Sequence, residues 1–155
     1  MITGGAGFVG YHLAKKEIAS GNEVTIIDNF LRPNMDEQFR NLIAEERVIF
    51  LEKDISLEET FKSLKQDYYD IVYHLAAFNG TDNFYKYPAK VLRIGCLSAI
   101  FLLDWICNQN ARPKVIYTSS SETYAGTTQV LKESFPIPTP ENIPLCIDDV
   151  TNVRW

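Results

Sequence analysis

The stretch Thr3-Gly4-Gly5-Ala6-Gly7-Phe8-Val9-Gly10 constrains this chain more than any other. Gly5, Gly7 and Gly10 spell G-x-G-x-x-G, and Gly4, Gly7 and Gly10 give the overlapping spacing G-x-x-G-x-x-G. Glycine at such positions lets the backbone turn sharply from a strand into a helix and approach a pyrophosphate that a Cβ would hold off. The helix that comes next offers unpaired N–H groups and its positive dipole end to the same anion. Alone, the motif is weak, since a glycine-rich turn needs no ligand.

The next strand strengthens the motif. Asn22-Glu23-Val24-Thr25-Ile26-Ile27-Asp28 is a β-branched run ending on a carboxylate, at about the 20-residue offset expected of the acid that grips the adenosine ribose. Strand, helix, second strand and acid in this order make a βαβ unit that binds an adenine dinucleotide. The charge of Asp28 favours a free 2′-hydroxyl and repels a 2′-phosphate, so NAD is expected over NADP. Arg32 argues the other way, although an arginine in a loop is more often simply solvated.

Only Met1-Ile2-Thr3 precede the glycines, fewer than the about five or six residues of an ordinary central strand; either residues are missing upstream or the strand is short. Phe8 to Ser20 carries apolar residues at 9, 13, 14 and 18 and should be an amphipathic helix stopped by Gly21. A loop over Asn29 to Asn34 and a short helix over Asp36 to Ala44 lead to a third strand, Arg47 to Leu51, with Asp54 and Ile55 beyond its end. Asp54 reads equally as an adenine contact or a plain turn residue. Ser56-Leu57-Glu58-Glu59 has the form of a capping box opening the next helix.

Asp70 to Ala77 reads as a fourth strand finishing in small residues, at the edge where open α/β sheets hold ligands. His74 lies within it and is more often a satisfied core residue than a base in such a setting. One long helix is expected between Phe84 and Gln109, with Pro88 tolerated near its start. Its apolar residues cover more than one stripe, which fits an oligomer seam or deeper burial within the monomer. Lys114 to Thr118 is a fifth strand, Ser119-Ser120-Ser121-Glu122-Thr123-Tyr124 comes after it, and 133–155 should be a proline-rich loop with little regular structure. No internal repeat is visible.

At 155 residues the chain is read as one domain, able to bury roughly two-thirds of its unfolded surface. A net charge of −5 with no basic block excludes a nucleic-acid role. Cys96, Cys107 and Cys146 are odd in number and show no C-x-x-C pairing, so neither a disulfide framework nor a zinc site is indicated and a cytoplasmic setting fits. No signal peptide or membrane span is read, the longest apolar candidate, Val91 to Ile106, being broken by Arg93 and Asp104.

Taken together, the glycine loop, Asp28-Asn29, Asp54-Ile55, His74-Leu75-Ala76-Ala77 and Ser119 to Tyr124 resemble the extended short-chain dehydrogenase/reductase family, and within it an NAD-dependent nucleotide-sugar epimerase/dehydratase. The resemblance covers essentially the whole chain and implies a Rossmann-type, doubly wound parallel α/β sheet. It implies that Gly4, Gly7, Phe8, Val9 and Gly10 hold the pyrophosphate and Asp28 and Asn29 the ribose. Asp54 and Ile55 would contact adenine, and Leu75, Ala76 and Ala77 would line the cofactor beyond it. The family's catalytic hydroxyl falls on Ser120, counted back from Tyr124, with Thr123-Tyr124-Ala125 standing where the family has V-Y-G. Glu122 sits where dehydratases and decarboxylases of the family place an acid.

The chemistry implied is reversible hydride transfer from a sugar hydroxyl, with a tyrosine made basic by a lysine in the spacing Tyr-x-x-x-Lys. A free tyrosine titrates near about pH 10 and needs such a cation to act at neutral pH. The one match, Tyr11 to Lys15, lies beside the phosphate loop and is rejected as a decoy. Asn152-Val153-Arg154-Trp155 resembles the run that precedes the family's working tyrosine. The chain is therefore expected to be an amino-terminal piece, inactive alone, lacking the catalytic helix and the substrate lobe. Three readings stand: part of a nucleotide-sugar epimerase, part of a 4,6-dehydratase or decarboxylase, or a non-catalytic dinucleotide-binding module. A nucleotide-sugar partner and a homodimer through the 84–109 helix are the associations expected.

Overall fold

The computed structural model describes residues 1–32, 35–64, 68–131, 137–147 and 149–151. Its contacts divide the chain into two compact units, Met1–Thr118 and Ser119–Trp155.

The first unit is a five-stranded parallel sheet with helices between its strands. In chain order the elements are β1 (Ile2–Thr3), α1 (Phe8–Ala19), β2 (Val24–Asp28), α2 (Glu37–Ile43), β3 (Val48–Glu52), α3 (Glu58–Lys62), β4 (Ile71–His74), α4 (Thr81–Lys86), α5 (Pro88–Cys107) and β5 (Lys114–Tyr117). The strands lie in the order β3-β2-β1-β4-β5. The order reverses at β1, so a crevice opens at the carboxyl ends of β1 and β4, the switch point of a doubly wound fold.

Two apolar layers hold the sheet, and β2 shows how the sequence builds both. Side chains alternate across a strand. Ile26 accordingly packs with Ala14, Phe39 and Leu42 under α1 and α2, while its neighbour Ile27 packs with Phe61, Val72 and Leu102 under α3 and α5. Both isoleucines are 0% exposed, a burial worth about 1.5–3 kcal/mol each. Phe30, Phe39 and Phe50 close the first layer in edge-to-face contacts, with ring centroids 5.3–5.7 Å apart.

Several local expectations are corrected. The capping box at Ser56 does not form: Leu57 occupies the cap position of α3 without a side-chain bond. The Ser56 hydroxyl and N–H instead donate to Asp54 Oδ1 at 2.6 and 2.8 Å. Donation to the carboxylate two residues upstream turns that hydroxyl away from the first helical N–H groups. The long helix expected within 84–109 is α5, with Pro88 in its first turn as expected, while the short α4 ahead of it, ending at Tyr87 (φ −138°, ψ 50°), was not expected. Pro88 sterically disfavours the helical conformation at the residue before it and is itself accommodated in the first turn of α5. The surplus apolar surface of α5 is exposed rather than buried, with Leu92 68% accessible and Ile100 and Leu103 about half. No helix among the described residues is long and apolar enough to cross a membrane.

In the second unit a 3₁₀ turn, Ser121–Tyr124, runs into a sixth helix, α6 (Ala125–Leu131), which sequence reading missed. Buried Thr127 donates to Pro144 O at 2.7 Å and accepts from Cys146 N at 3.2 Å, pinning the proline-containing stretch to α6. That stretch has no helix or strand among its described residues. Lys132 to Pro136 and Asn152 to Trp155 lie outside the described residues.

Candidate functional site

A cleft of about 470 Å³ lies at the switch point, within the about 300–1,000 Å³ of small-molecule sites. Three chain segments meet there because parallel strands all deliver their carboxyl ends to one edge. β1 brings the glycine loop, β2 brings Asp28 and Asn29, and β4 brings Leu75, Ala76 and Ala77.

The glycines have distinct tasks. Gly4 adopts φ +73°, and a Cβ on it would lie 2.7 Å from Ala76 N. A Cβ on Gly10 would strike the Gly4 carbonyl oxygen and lie 2.6 Å from Gly5 Cα. Both therefore let backbone pack on backbone. At Gly7 the added atom would meet only Gly4 O, at 3.3 Å, so this position borders open space in the cleft. Gly7 is also the cap residue of α1, without a side-chain cap and with no acid in the first turn. The positive end of this 12-residue helix faces the cleft unopposed. Val9, expected in the apolar stripe of α1, is exposed and lines the cleft with Phe8.

Asp28 closes the other side. Its Oδ2 accepts Ala6 N at 3.1 Å and its Oδ1 accepts Phe30 N at 2.9 Å. The carboxylate thereby joins the glycine loop to the turn after β2, where Phe30 takes φ +51°. Burial pushes the Asp28 pKa up, and backbone N–H bonds from Phe30, Ala6 and Asn29 oppose that rise. Three backbone N–H groups meet about four lone-pair sites on the carboxylate, so acceptor capacity remains.

Every residue expected at the cofactor is on this wall: Gly4, Gly7, Phe8, Val9, Gly10, Asp28, Asn29, Asp54, Ile55, Leu75, Ala76 and Ala77. Asp54 is both a turn residue, through Ser56, and a cleft residue. Sequence reading missed Leu31, Lys53, Phe78, Asn79 and Ile94 and set Arg32 aside as solvated, though all six line the cleft. Ile94 arrives from α5, a contact no local pattern encodes; Lys53 and Phe78 adjoin residues that were identified.

His74 is a core residue, as the apolar strand around it suggested. It is 3% exposed, between Thr3 Oγ1 (Nδ1, 3.0 Å) and Ser98 Oγ (Nε2, 3.4 Å), and stacks on Tyr117. Burial lowers its pKa from 6.5 to about 4. Tyr11 and Lys15 lie away from the cleft, on the α1–α2 side. Lys15 Nζ sits 5.5 Å from the Tyr11 ring centroid, over the ring face. Ser120 and Glu122 belong to the second unit, where Ser120 Oγ accepts Glu122 N at 3.2 Å and caps the 3₁₀ turn.

Comparison with known proteins agrees with this geometry. The model of a family described as "NAD dependent epimerase/dehydratase family" matches residues 1–143. UDP-glucuronic acid decarboxylase 1 of Danio rerio is 32% identical over 124 residues, 80% of this chain and 28% of that protein. A crystal structure of UDP-galactose 4-epimerase superposes with a TM-score of 0.73 at 26% identity, covering 94% of this chain and 43% of that one. The enzyme WbmF of Bordetella bronchiseptica, solved in complex with NAD+, gives 0.69 at 32% identity, with 79% and 36% covered. The chain spans 28%, 27% and 40% of the length of three curated relatives it matches.

Proposed function

The chain belongs to the NAD dependent epimerase/dehydratase family, and from that premise we propose that its Met1–Thr118 unit binds NAD for the reversible oxidation of a nucleotide-sugar hydroxyl, as in an epimerase. The observation that carries this is the junction of loop and acid. Asp28 is hydrogen-bonded to Ala6 inside the glycine turn, so a group that suits ribose hydroxyls and a helix end that suits phosphate stand on one cleft. The open space at Gly7 fits a pyrophosphate laid against backbone, which a Cβ there would crowd.

Gly7, Phe8, Val9 and Gly10 would hold the pyrophosphate, Asp28 and Asn29 the ribose. Asp54 and Ile55 would border adenine, and Leu75, Ala76 and Ala77 leave room for the remainder. Bound NAD would supply a hydride acceptor. Ser120 would donate a hydrogen bond to the sugar oxygen undergoing oxidation, the role its family position implies. Isothermal titration with NAD and NADP tests the reading: NAD should bind more tightly, because a 2′-phosphate brings charge against the Asp28 carboxylate. Tighter NADP binding, or no binding of either, would refute it.

A second reading rests on Glu122 and on the similarity to a decarboxylase. A carboxylate two residues from the catalytic hydroxyl could carry acid–base work that epimerisation does not need. Product analysis of a full-length protein carrying this chain, incubated with NAD and UDP-glucuronic acid, separates the two, an unsaturated or decarboxylated sugar favouring the second. A second copy of the chain, paired through Leu92, Ile100 and Leu103 on α5, and a cytoplasmic location are part of the same proposal. Sedimentation checks the pairing, with a monomer at all concentrations counting against it.

A further inference from the structure

The cleft wall on the β4 side is tied to α5 by buried side chains that the proposed chemistry does not use. Thr3, His74 and Ser98 are each 3% exposed or less. Ala76 N donates to Thr3 Oγ1 at 3.3 Å, and Thr3 Oγ1 lies 3.0 Å from His74 Nδ1. Across the ring, His74 Nε2 lies 3.4 Å from Ser98 Oγ, which donates to Gly95 O at 3.2 Å.

Donor counting fixes the direction of this chain of bonds. A neutral imidazole has one N–H and one bare nitrogen, and each hydroxyl donates once. With the proton on Nε2, His74 donates to Ser98 and Ser98 to Gly95 O, while Thr3 donates to Nδ1 and accepts from Ala76, so every bond is made. With the proton on Nδ1, Thr3 Oγ1 would accept from both Nδ1 and Ala76 N and its own proton would take no part in these bonds, and His74 Nε2 would compete with Gly95 O for the single Ser98 hydroxyl proton. Burial at these positions makes an unmade bond costly.

One end of the chain of bonds lies in the cleft, which Ala76 lines, and the other ends on Gly95, the neighbour in sequence of Ile94, the α5 residue that also lines it. If Asp28 holds the adenosine ribose on the β2 side, the remaining half of a dinucleotide must extend over the ends of β1 and β4, between these walls.

We infer that His74, fixed as the Nε2–H tautomer between Thr3 and Ser98, is a positioning residue that sets the spacing of Ala76 and Ile94 and thereby the fit of the nicotinamide half of NAD. The inference rests on the NAD-binding reading above. Two probes separate this role from mere structural support: NAD, which needs both halves of the cleft, and ADP, which needs only the loop and Asp28.

The test measures NAD and ADP affinity for the chain, for His74→Phe, which keeps an aromatic ring in place, and for Ser98→Ala, which cuts only the α5 end. Each variant removes two of these bonds, those of His74 to Thr3 and Ser98 or those of Ser98 to His74 and Gly95 O, and should weaken NAD about fivefold to tenfold, with ADP held within about twofold. Equal loss for both nucleotides, or loss for neither, would overturn the positioning role. Nitrogen-15 spectra of the histidine ring give an independent measure: a proton on Nε2 is expected, and one on Nδ1 would overturn the assignment. Failure of the unaltered chain to bind either nucleotide would overturn the NAD reading itself and the positioning role with it, while the ring spectrum would still decide the tautomer.

Discussion

The pH dependence of folding should carry the signature of His74, with a sign and size set by its surroundings. Its pKa falls from 6.5 in the unfolded chain to about 4 in the folded one because burial penalises the imidazolium. Between those values the unfolded chain takes up a proton that the folded chain refuses. The contribution of His74 to stability is therefore complete above pH 6.5 and is lost as pH falls through about 4. The slope is about 1.4 kcal/mol per pH unit, and the full span is worth about 3 kcal/mol. At 3% exposure, little of this is screened by water. Asp28 works in the opposite sense: burial raises its pKa above 3.8, so its stabilising contribution declines as pH rises through that window. Comparison with His74→Gln cancels Asp28 and the other carboxylates. Urea unfolding followed by circular dichroism, from about pH 7 to about pH 4, should show the stability gap between the chain and the variant closing by about 3 kcal/mol. A gap that stays constant across this range would refute the reasoning, since it would mean the folded ring protonates as freely as the unfolded one.

The glycines should part company. Gly10→Ala drives a Cβ into backbone atoms that cannot move aside, and thermal unfolding should show a loss of about 3 kcal/mol or more. Gly7→Ala meets only Gly4 O at 3.3 Å; stability should change by less than about 1 kcal/mol while NAD affinity drops about tenfold or more, read by titration. Asp28→Asn leaves either Ala6 N or Phe30 N facing an amide NH₂, costing about 1–3 kcal/mol, and should narrow the preference for NAD over NADP. Tyr11→Phe, on the α1–α2 side of the unit, should leave NAD affinity unchanged; a loss there would show that Tyr11 and Lys15 are no decoy.

The sequence made the sheet and much of the cleft wall legible for one reason: both depend on signals carried locally. The β-branched run into Asp28, the glycine spacing and the small residues after β4 each act where they stand, and a parallel sheet gathers them at one edge without further information. What escaped depends on contacts between segments distant in sequence, or on competition within one turn. Ile94 enters the cleft because α5 packs over β4, and its helical pattern records only that the helix is apolar. Ser56 has the spacing of a capping box, yet Asp54 intercepts its hydroxyl. The apolar residues and first-turn Pro88 announce α5, while the six-residue α4 ahead of it carries no such signal. α6 carries no strong apolar period; it is held by Thr127, whose bonds to Pro144 and Cys146 cannot be seen in the pattern of residues 125–131.

The central strand shows side chains joining backbone bonds in fixing the glycine loop. β1 has two residues in register, Ile2 and Thr3, paired with Ile26 and Ile27 on one flank and with Tyr73 and His74 on the other. So short a ladder gives the loop little purchase, and a turn proposed to bind phosphate must be held rigid to act as a preformed site. Each flank adds one backbone bond and one side-chain bond just beyond the ladder. On the β2 flank, Gly4 N donates to Ile27 O at 2.8 Å and Asp28 receives Ala6 N. On the β4 flank, Leu75 N donates to Thr3 O at 3.2 Å and Thr3 Oγ1 receives Ala76 N, with His74 behind it. Asp28 and Thr3 therefore hold the loop from opposite sides, and only the acid also faces the cleft. Removing Asp28 should then alter nucleotide choice and loop rigidity together, whereas disturbing the Thr3 side should alter rigidity without altering the choice between NAD and NADP.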